Sequence, residues 1–477
     1  MLPIAWGICL APIALFDVRH ARGRATFDQE LFHEHTIRAF AETWPFIHLT
    51  SPEKIIPDHL VAMTPGLHWV LAGATRIIGL GDAGLRVAAL LISVAVFGVL
   101  GVLVGRRCGP MFGALLVAPL MVSMYVASSA AWVLADNVGW FWVGVLSLLA
   151  LFSRTTLVWA LVAGVGLLLA VWTRQNLLFL ALPLWAAAWL STESAVATRA
   201  NPFVQTPARL KHLLPIAIAT IPSLLTLAYL YRIWGGLVPY EFQGQYDGAN
   251  PSNIALQLSM LAGFGVFFLP AMLGVGEPEW RPRVLATLRR CAPWVALSVV
   301  ASAIIVAMLP TTAAPTKGRA GFVWNALDRL DVIGPIGDTN VLMVLIAMAG
   351  GAMLVVMLAS VPARQRWILG ALFAAFAIAQ GASSEVWQRY HEPFTLLFLA
   401  IATCTALHGR GMPGQRLRRV QVVPIAVLAL GLSVMSATMI WQKEIAPWRR
   451  GEPQMPRTTM LPEPPPREPV TRPDGQE

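Results

Sequence analysis

Apolar runs about as long as a bilayer is thick recur from one end of this 477-residue chain to the other. A hydrocarbon core about 30 Å thick needs roughly 20 apolar residues for each helical span. The runs are continuous and lack the short alternating pattern of barrel strands. Only 13% of the residues are charged, against about 25% in soluble domains. The sequence therefore predicts an all-α, polytopic membrane protein.

The length of each run gives a layout of about thirteen transmembrane helices. The predicted spans are 1–16, 84–105, 112–129, 137–153, 156–172, 176–190, 213–233, 254–275, 292–309, 340–361, 367–381, 393–408 and 421–441. Together they make one membrane domain, residues 1–441. The remaining segment, 442–477, is rich in Pro, Glu and Arg, a composition that cannot bury a core and predicts a disordered tail.

The net charge of +10 is explained by the loops that carry it. Cytoplasmic loops of membrane proteins collect Lys and Arg. With the N-terminus inside, alternate loops do so here, at 106–107, 154, 199–211, 281–290, 364–366 and 410–419. The pattern argues against nucleic-acid binding. It places the long loop 17–83 and the tail on the outer face, which is the periplasmic face if the membrane is a bacterial inner membrane, as the compact loops favour.

The loop 17–83 is too polar to cross a bilayer. Ile37, Phe40, Ala41 and Trp44 recur at helical spacing, which predicts amphipathic helices lying on the membrane surface. Six of the nine histidines precede residue 70, and they are His20, His33, His35, His48, His59 and His68. His33 and His35 are two residues apart and fall on different sides of a helix. The four cysteines include no CxxC pair, so neither a metal site nor a cofactor is predicted.

Polar residues beside spans are candidates for function, because they are costly near a membrane. Those of the predicted outer face are Asp28, Glu30, His33, Asp136, Arg174, Gln175, Asn176, Trp234, Arg389 and His391. Each also has a structural interpretation. Asp136 is equally consistent with a helix cap, and Arg174 with a side chain that extends to the headgroups. The WGGLVP stretch that begins at Trp234 is also typical of a turn.

This combination of residue types suits sugar transfer from a phosphate. A carboxylate can take the proton of an attacking hydroxyl. Arginine binds a leaving phosphate through paired N–H groups, and the amides of Gln175 and Asn176 suit sugar hydroxyls. No Walker A, G-x-G-x-x-G or H-E-x-x-H run is present, so nucleotide and zinc-protease chemistry lack support.

Several of these stretches resemble one family, and their order is the same. The stretches are Phe27–His33 (FDQELFH), Thr64–Leu67 (TPGL), Leu134–Asp136, Arg174–Asn176 (RQN), Trp234–Val238 (WGGLV) and Gln388–His391 (QRYH). They are similar to motifs of the α-1,2-glucosyltransferases that add the last glucose to the dolichol-linked oligosaccharide, and of bacterial relatives in the GT-C superfamily. The family's Asp falls on Gln29 here, its Glu falls on Glu30, and Asp28 lies one residue early.

The resemblance implies an inverting hexosyltransferase that uses a polyprenyl-phosphate sugar donor and a glycan or glycolipid acceptor. It implies no nucleotide and usually no metal. Asp28 is our candidate for the general base, with Glu30 as the alternative. Arg174 and Arg389 are candidates for binding the donor phosphate. Asp136 either orients the acceptor or pairs with Arg174.

Three other functions remain open from the sequence. A transporter or flippase for a lipid-linked or small anionic substrate is the main alternative, although such proteins place charges near the midplane, often on broken helices in repeated halves. A ligase or polymerase of lipid-linked glycans would also use arginines and histidines of the outer face. A non-catalytic assembly subunit would tolerate neutral replacements of Asp28, Glu30 and Asp136.

Overall fold

The computed structural model describes residues 1–15, 29–50, 58–191, 206–246, 248–250, 252–308, 340–411 and 418–446, with Gly321, Val323 and Ala326. For a few of these residues the structure describes the backbone alone, namely 29–31, 206–208, 244–246 and 443–444. Every regular element in the described residues is helical, which confirms the predicted all-α class. Asp28 and 447–477, most of the predicted disordered tail, lie outside the described residues. Residues Trp441–Ile445, at the start of that tail, form a π-helical turn.

The helices of the first half are α1 (Leu2–Ala14), a π-helix (Gln29–Glu34), α2 (His35–Thr43), α3 (Gly66–Ile78), α4 (Asp82–Cys108), α5 (Pro110–Val122), α6 (Met124–Ala131), α7 (Asp136–Phe152), α8 (Leu157–Thr173), a 3₁₀-helix (Gln175–Leu180) and α9 (Ala181–Trp189). Those of the second half are α10 (Thr206–Trp234), α11 (Tyr240–Tyr246), α12 (Ser252–Leu273), α13 (Trp280–Met308), α14 (Val341–Ala359), α15 (Ala363–Gly381), α16 (Gln388–Gly409) and α17 (Arg419–Ile440).

The helices coincide with the predicted apolar segments, but fewer of them meet a strict test for a span. In the described residues, seven helices are long and apolar enough to cross a membrane, or eight if the bent pair α5–α6 is one span. Four further apolar segments are shorter, namely α1, α7, α8 and Gln175–Trp189. In α15, Arg364 and Arg366 interrupt the apolar run. These helices support a membrane protein, and the count of thirteen spans stays a prediction.

Helix α16 lies at the centre of the bundle. It is the most enclosed of the candidate spans, with 89% of its apolar window buried, against 17% for α13. It packs against α12, α5, α4 and α7. Phe394 of α16 stacks on Phe376 of α15, with ring centroids 3.6 Å apart. Because α16 begins at Gln388 and Arg389, these polar residues lie at one end of the central helix.

The amphipathic helix predicted in the first loop is α2. It buries Ile37, Phe40 and Ala41 in an apolar cluster shared with Leu71 of α3 and Leu85 of α4. The apolar face of α2 therefore contacts protein. Its position on a membrane surface stays a prediction.

Two arginines bind main-chain carbonyl groups at the end of the bundle where α7, α9, α12 and α16 finish. Arg364 donates to the carbonyl oxygen of Leu190 at 3.1 Å, directly after the end of α9. It also donates to the carbonyl oxygen of Leu151 at 3.0 Å, in the last turn of α7. Arg410 donates to the carbonyl of Ala271 at 2.7 Å, near the end of α12. The last carbonyls of a helix lack intrahelical partners, and a cation beside them is stabilising.

Candidate active site at one end of the bundle

A buried ion-pair cluster joins three of the predicted residues. Asp136 is the first residue of α7, and its residue surface is only 4% exposed. Its Oδ1 accepts from Arg174, which directly follows α8. Its Oδ2 accepts from Arg389 of α16, with Nη2 at 2.9 Å and Nε at 3.0 Å. Two guanidinium groups therefore face one carboxylate.

Tyr390 fixes the orientation of Arg174. Its hydroxyl accepts from Nη2 of Arg174 at 3.1 Å. The guanidinium carbon of Arg174 also lies 4.7 Å from the centre of the tyrosine ring, and that of Arg389 lies 5.6 Å from it. Arginine stacked on an aromatic face is held by cation–π attraction. Tyr390 belongs to the QRYH stretch but was not predicted to act in the site; its position next to Arg389 is the sequence signal that points to it.

His33 lies at the edge of this cluster and pairs with a second histidine. Its Nδ1 is 2.8 Å from Nε2 of His68, and the two rings stack with centroids 5.0 Å apart. Burial, followed by the positive charge of Arg389, lowers the pKa of His33 to about 3. Burial also lowers the pKa of His68, as does the neighbouring His33. Both rings are therefore neutral near pH 7, so that one ring nitrogen donates and the other accepts.

Trp234 meets the first loop through His59. The imidazole of His59 stacks between Phe40 of α2, at a centroid distance of 5.9 Å, and Trp234, at 5.4 Å. Burial lowers the pKa of His59 to about 4. The sequence does not predict that His59 and His68 contribute to the site, because the pattern of histidines alone does not reveal which of them are brought together by folding.

Gln175 has a structural role. Its Nε2 donates to the carbonyls of Ala62 at 2.9 Å and Leu237 at 3.2 Å, while its Oε1 accepts from the amide of Thr64 at 3.2 Å. The side chain thus joins the TPGL and WGGLV loops, and its two amide hydrogens are used. The neighbouring Asn176 differs, because its Oδ1 is buried and makes no hydrogen bond within the described part of the chain.

His391 is separated from the cluster. It is fully buried, and its Nε2 lies 2.7 Å from Oδ1 of Asn253 in α12. Residues two apart on a helix do not share a face, so His391 points away from Arg389. Its described contacts hold α16 against α12, which differs from the substrate contact predicted for it.

The side chains of the two candidate bases are not placed relative to the cluster. Asp28 lies outside the described residues. Glu30 belongs to the π-helix Gln29–Glu34, as does His33, but its side chain is not described. Among the described residues, no group of three or more His, Cys, Asp or Glu side chains has an arrangement that would hold a metal ion.

Comparison of the chain with protein-family models, with curated proteins and with solved structures finds no match in any of the three. The resemblance to lipid-linked glucosyltransferases thus stays a prediction. Support for a function comes from the chemistry of the site, because a fold by itself does not define an activity.

Acidification is expected to destabilise the packing of the first loop through these histidines. Their pKa values in the folded protein lie below the ordinary 6.5, so the unfolded chain takes up protons first. The stability they contribute is complete above pH 6.5 and is lost as the pH falls towards 4 and then 3. The loss is about 1.4 kcal/mol per pH unit for each histidine.

The measurement is the thermal unfolding midpoint in lipid nanodiscs at pH 7 and pH 5. His59→Phe keeps an aromatic ring between Phe40 and Trp234 without a titrating group, so its midpoint should fall less than that of the wild type. His48→Phe, at an exposed histidine, is the matched control and should behave as the wild type. Equal shifts in all three proteins would contradict the assignment.

Proposed function

We propose that this protein is an inverting hexosyltransferase of the outer membrane face. It moves a sugar from a polyprenyl-phosphate donor to a glycan or glycolipid acceptor, with Asp28 or Glu30 as the general base. In a bacterium the site would face the periplasm from the inner membrane.

The observation that carries the proposal is the buried cluster of two arginines and one aspartate. Two guanidinium groups converge on the carboxylate of Asp136. Such a pair suits an anion, because Arg binds phosphate oxygens through paired N–H groups. In a partly buried site such an interaction is stronger than in water, because the effective dielectric constant is lower.

The surroundings of the cluster support a site for transfer. The helix starts or turns that carry Asp136, Arg174 and Arg389 meet at one end of the bundle. The π-helix that contains Glu30 brings His33 to the same end, where it interacts electrostatically with Arg389 and Asp136. A carboxylate on that segment would lie near a donor whose phosphate is bound by the arginines. An inverting displacement requires the base, the sugar and the phosphate to lie in that order.

Arg389→Gln is expected to raise the apparent KM for the donor by about 10-fold to 100-fold. One charge-assisted hydrogen bond to phosphate contributes about 1.5–3 kcal/mol. Arg174 still pairs with Asp136 in this variant, so folding should be retained. Purified protein in nanodiscs would receive a panel of short-chain polyprenyl-phosphate sugars with a crude lipid acceptor, and free polyprenyl phosphate would be measured by mass spectrometry.

Arg38→Gln is the matched control. Arg38 also pairs with an aspartate, Asp82, but both side chains of that pair are about half exposed. Exposed ion pairs contribute little, so the donor KM of this variant should equal that of the wild type. An unchanged KM in Arg389→Gln would remove this arginine from the donor site.

A transporter is the second candidate function, and one observation favours it. Helices α5 and α6 are bent by 77° at Ser123, next to the buried carboxyl group of Glu392. Broken helices with ionisable groups are typical of secondary transporters. Protein in sealed liposomes would discriminate, since a transporter moves a lipid-linked or small anion across the bilayer without releasing polyprenyl phosphate.

A further inference from the structure

The bend between α5 and α6 interrupts the regular hydrogen bonding of a helix. Ser123 has extended backbone angles, φ −55° and ψ 137°. The carbonyl of Val122 accepts from the hydroxyl of Ser436 in α17 at 2.5 Å. At this carbonyl, a side chain from another helix therefore replaces the backbone donor that a continuous helix would supply.

Glu392 of α16 contacts the same bend through the side chain of Ser123. It is fully buried. Its Oε1 accepts from the hydroxyl of Ser123 at 2.7 Å, and its Oε2 accepts from Nε2 of Gln388 at 2.6 Å. Both partners are neutral. In the described part of the chain, no Lys, Arg or His side chain lies within ion-pair distance of this carboxyl group.

Glu277 is a second buried carboxyl group, and its partners differ from those of Glu392. Glu277 is also buried, yet it pairs with Arg283 at 2.7 Å and with Arg410 at 3.5 Å. An isolated buried carboxylate is far more costly than one that is paired and hydrogen-bonded, and such a group becomes neutral instead. The contrast between the two sites indicates that the surroundings of Glu392 favour the protonated, neutral acid.

We propose that Glu392, Ser123 and Gln388 form a proton-binding site at the helix bend. The proton resides on Glu392. The Ser123 hydroxyl can act as donor or acceptor, so it rotates to accept from the acid and donates again when the proton has left. Gln388 donates to the other carboxyl oxygen in both states.

Tyr125 links this site to the ion-pair cluster. It lies on α6, two residues after the bend, and it interacts electrostatically with both Glu392 and Arg389. Among the described residues, the titratable or charged groups connected with the proton-binding site are Tyr125, which interacts with Glu392, and Arg389, which interacts with Tyr125. His391, on the preceding position of α16, faces Asn253 instead. The proton-binding site is proposed independently of sugar transfer.

Infrared difference spectroscopy tests the inference directly. Protein in nanodiscs at pH 7 should show the C=O stretching band of a protonated carboxylic acid, shifted by exchange into deuterated water. Glu392→Gln should remove that band, and Glu277→Gln should retain it. Absence of the band in the wild type, or its persistence in Glu392→Gln, would overturn the proposal.

Thermal unfolding supplies a second readout. A glutamine resembles the neutral acid in shape, and its amide can donate to Ser123 while its oxygen accepts from Gln388. Glu392→Gln should therefore keep the midpoint of the wild type, whereas Glu277→Gln should lower it by leaving Arg283 and Arg410 without their carboxylate. A midpoint lowered as far in Glu392→Gln as in Glu277→Gln would show that Glu392 is ionised.

Discussion

Replacing Asp136 with asparagine is expected to lower the free energy of unfolding by about 3–5 kcal/mol. The variant removes the buried carboxylate that both Arg174 and Arg389 contact. Removing one partner of a buried ion pair costs far more than the pair itself contributes. The measurement is the thermal unfolding midpoint in nanodiscs, with the turnover of a polyprenyl-phosphate sugar followed in parallel.

A triple variant tests whether the loss of stability in Asp136→Asn comes from the arginine charges or from the changed shape of the side chain. Asp136→Asn combined with Arg174→Met and Arg389→Met has no buried charge in the cluster, and it should recover most of the lost stability while remaining inactive. Residues in one network are not additive, so this recovery is the expected result. A single Asp136→Asn variant as stable as the wild type would show that the two arginines are solvated or paired elsewhere.

Asp28→Asn is expected to reduce turnover by about 10²-fold to 10⁴-fold, which is the usual contribution of general acid–base catalysis. The asparagine keeps the size of the side chain but cannot take the proton of the acceptor hydroxyl. Glu30→Gln, two residues further along, should retain most of the activity if Asp28 is the base. Single-turnover release of polyprenyl phosphate measures the chemical step apart from product release.

The outcomes of this pair distinguish the candidate bases. Loss in Glu30→Gln alone would transfer the role to Glu30, where the resembled family's Glu falls. Full activity in both variants would exclude a general base in this stretch and would remove the main chemical support for a transferase. Unfolding midpoints equal to that of the wild type are required of both variants, so that a loss of turnover reports chemistry.

The positions of the helices could be read from the sequence because a bilayer imposes a length on each apolar run. The run at 393–408, for example, corresponds to α16, Gln388–Gly409. The bend at Ser123 was not predicted. The apolar run continues across it, and the interruption is stabilised by Glu392 and Ser436, which are distant in sequence.

The site was predictable in part for the same reason. Asp136, Arg174 and Arg389 each lie at the end of an apolar run, and helices that end on the same side bring their terminal residues together. Pairing of Asp136 with Arg174 is one of the three roles that the sequence allows for Asp136, beside a helix cap and orientation of the acceptor. Periodicity does not show which side chains occupy the interior, so the structural contacts of Gln175 and His391 emerged only from the fold.

Arg364 and Arg410 have a consequence for how the chain enters a membrane. Basic residues in loops direct the orientation of a nascent helix, and these two also satisfy the final carbonyls of neighbouring helices. A hairpin inserted upside down would carry its guanidinium group to the opposite surface and leave those carbonyls bare. In the predicted topology, the same side chains would therefore both direct insertion and stabilise the inserted helices.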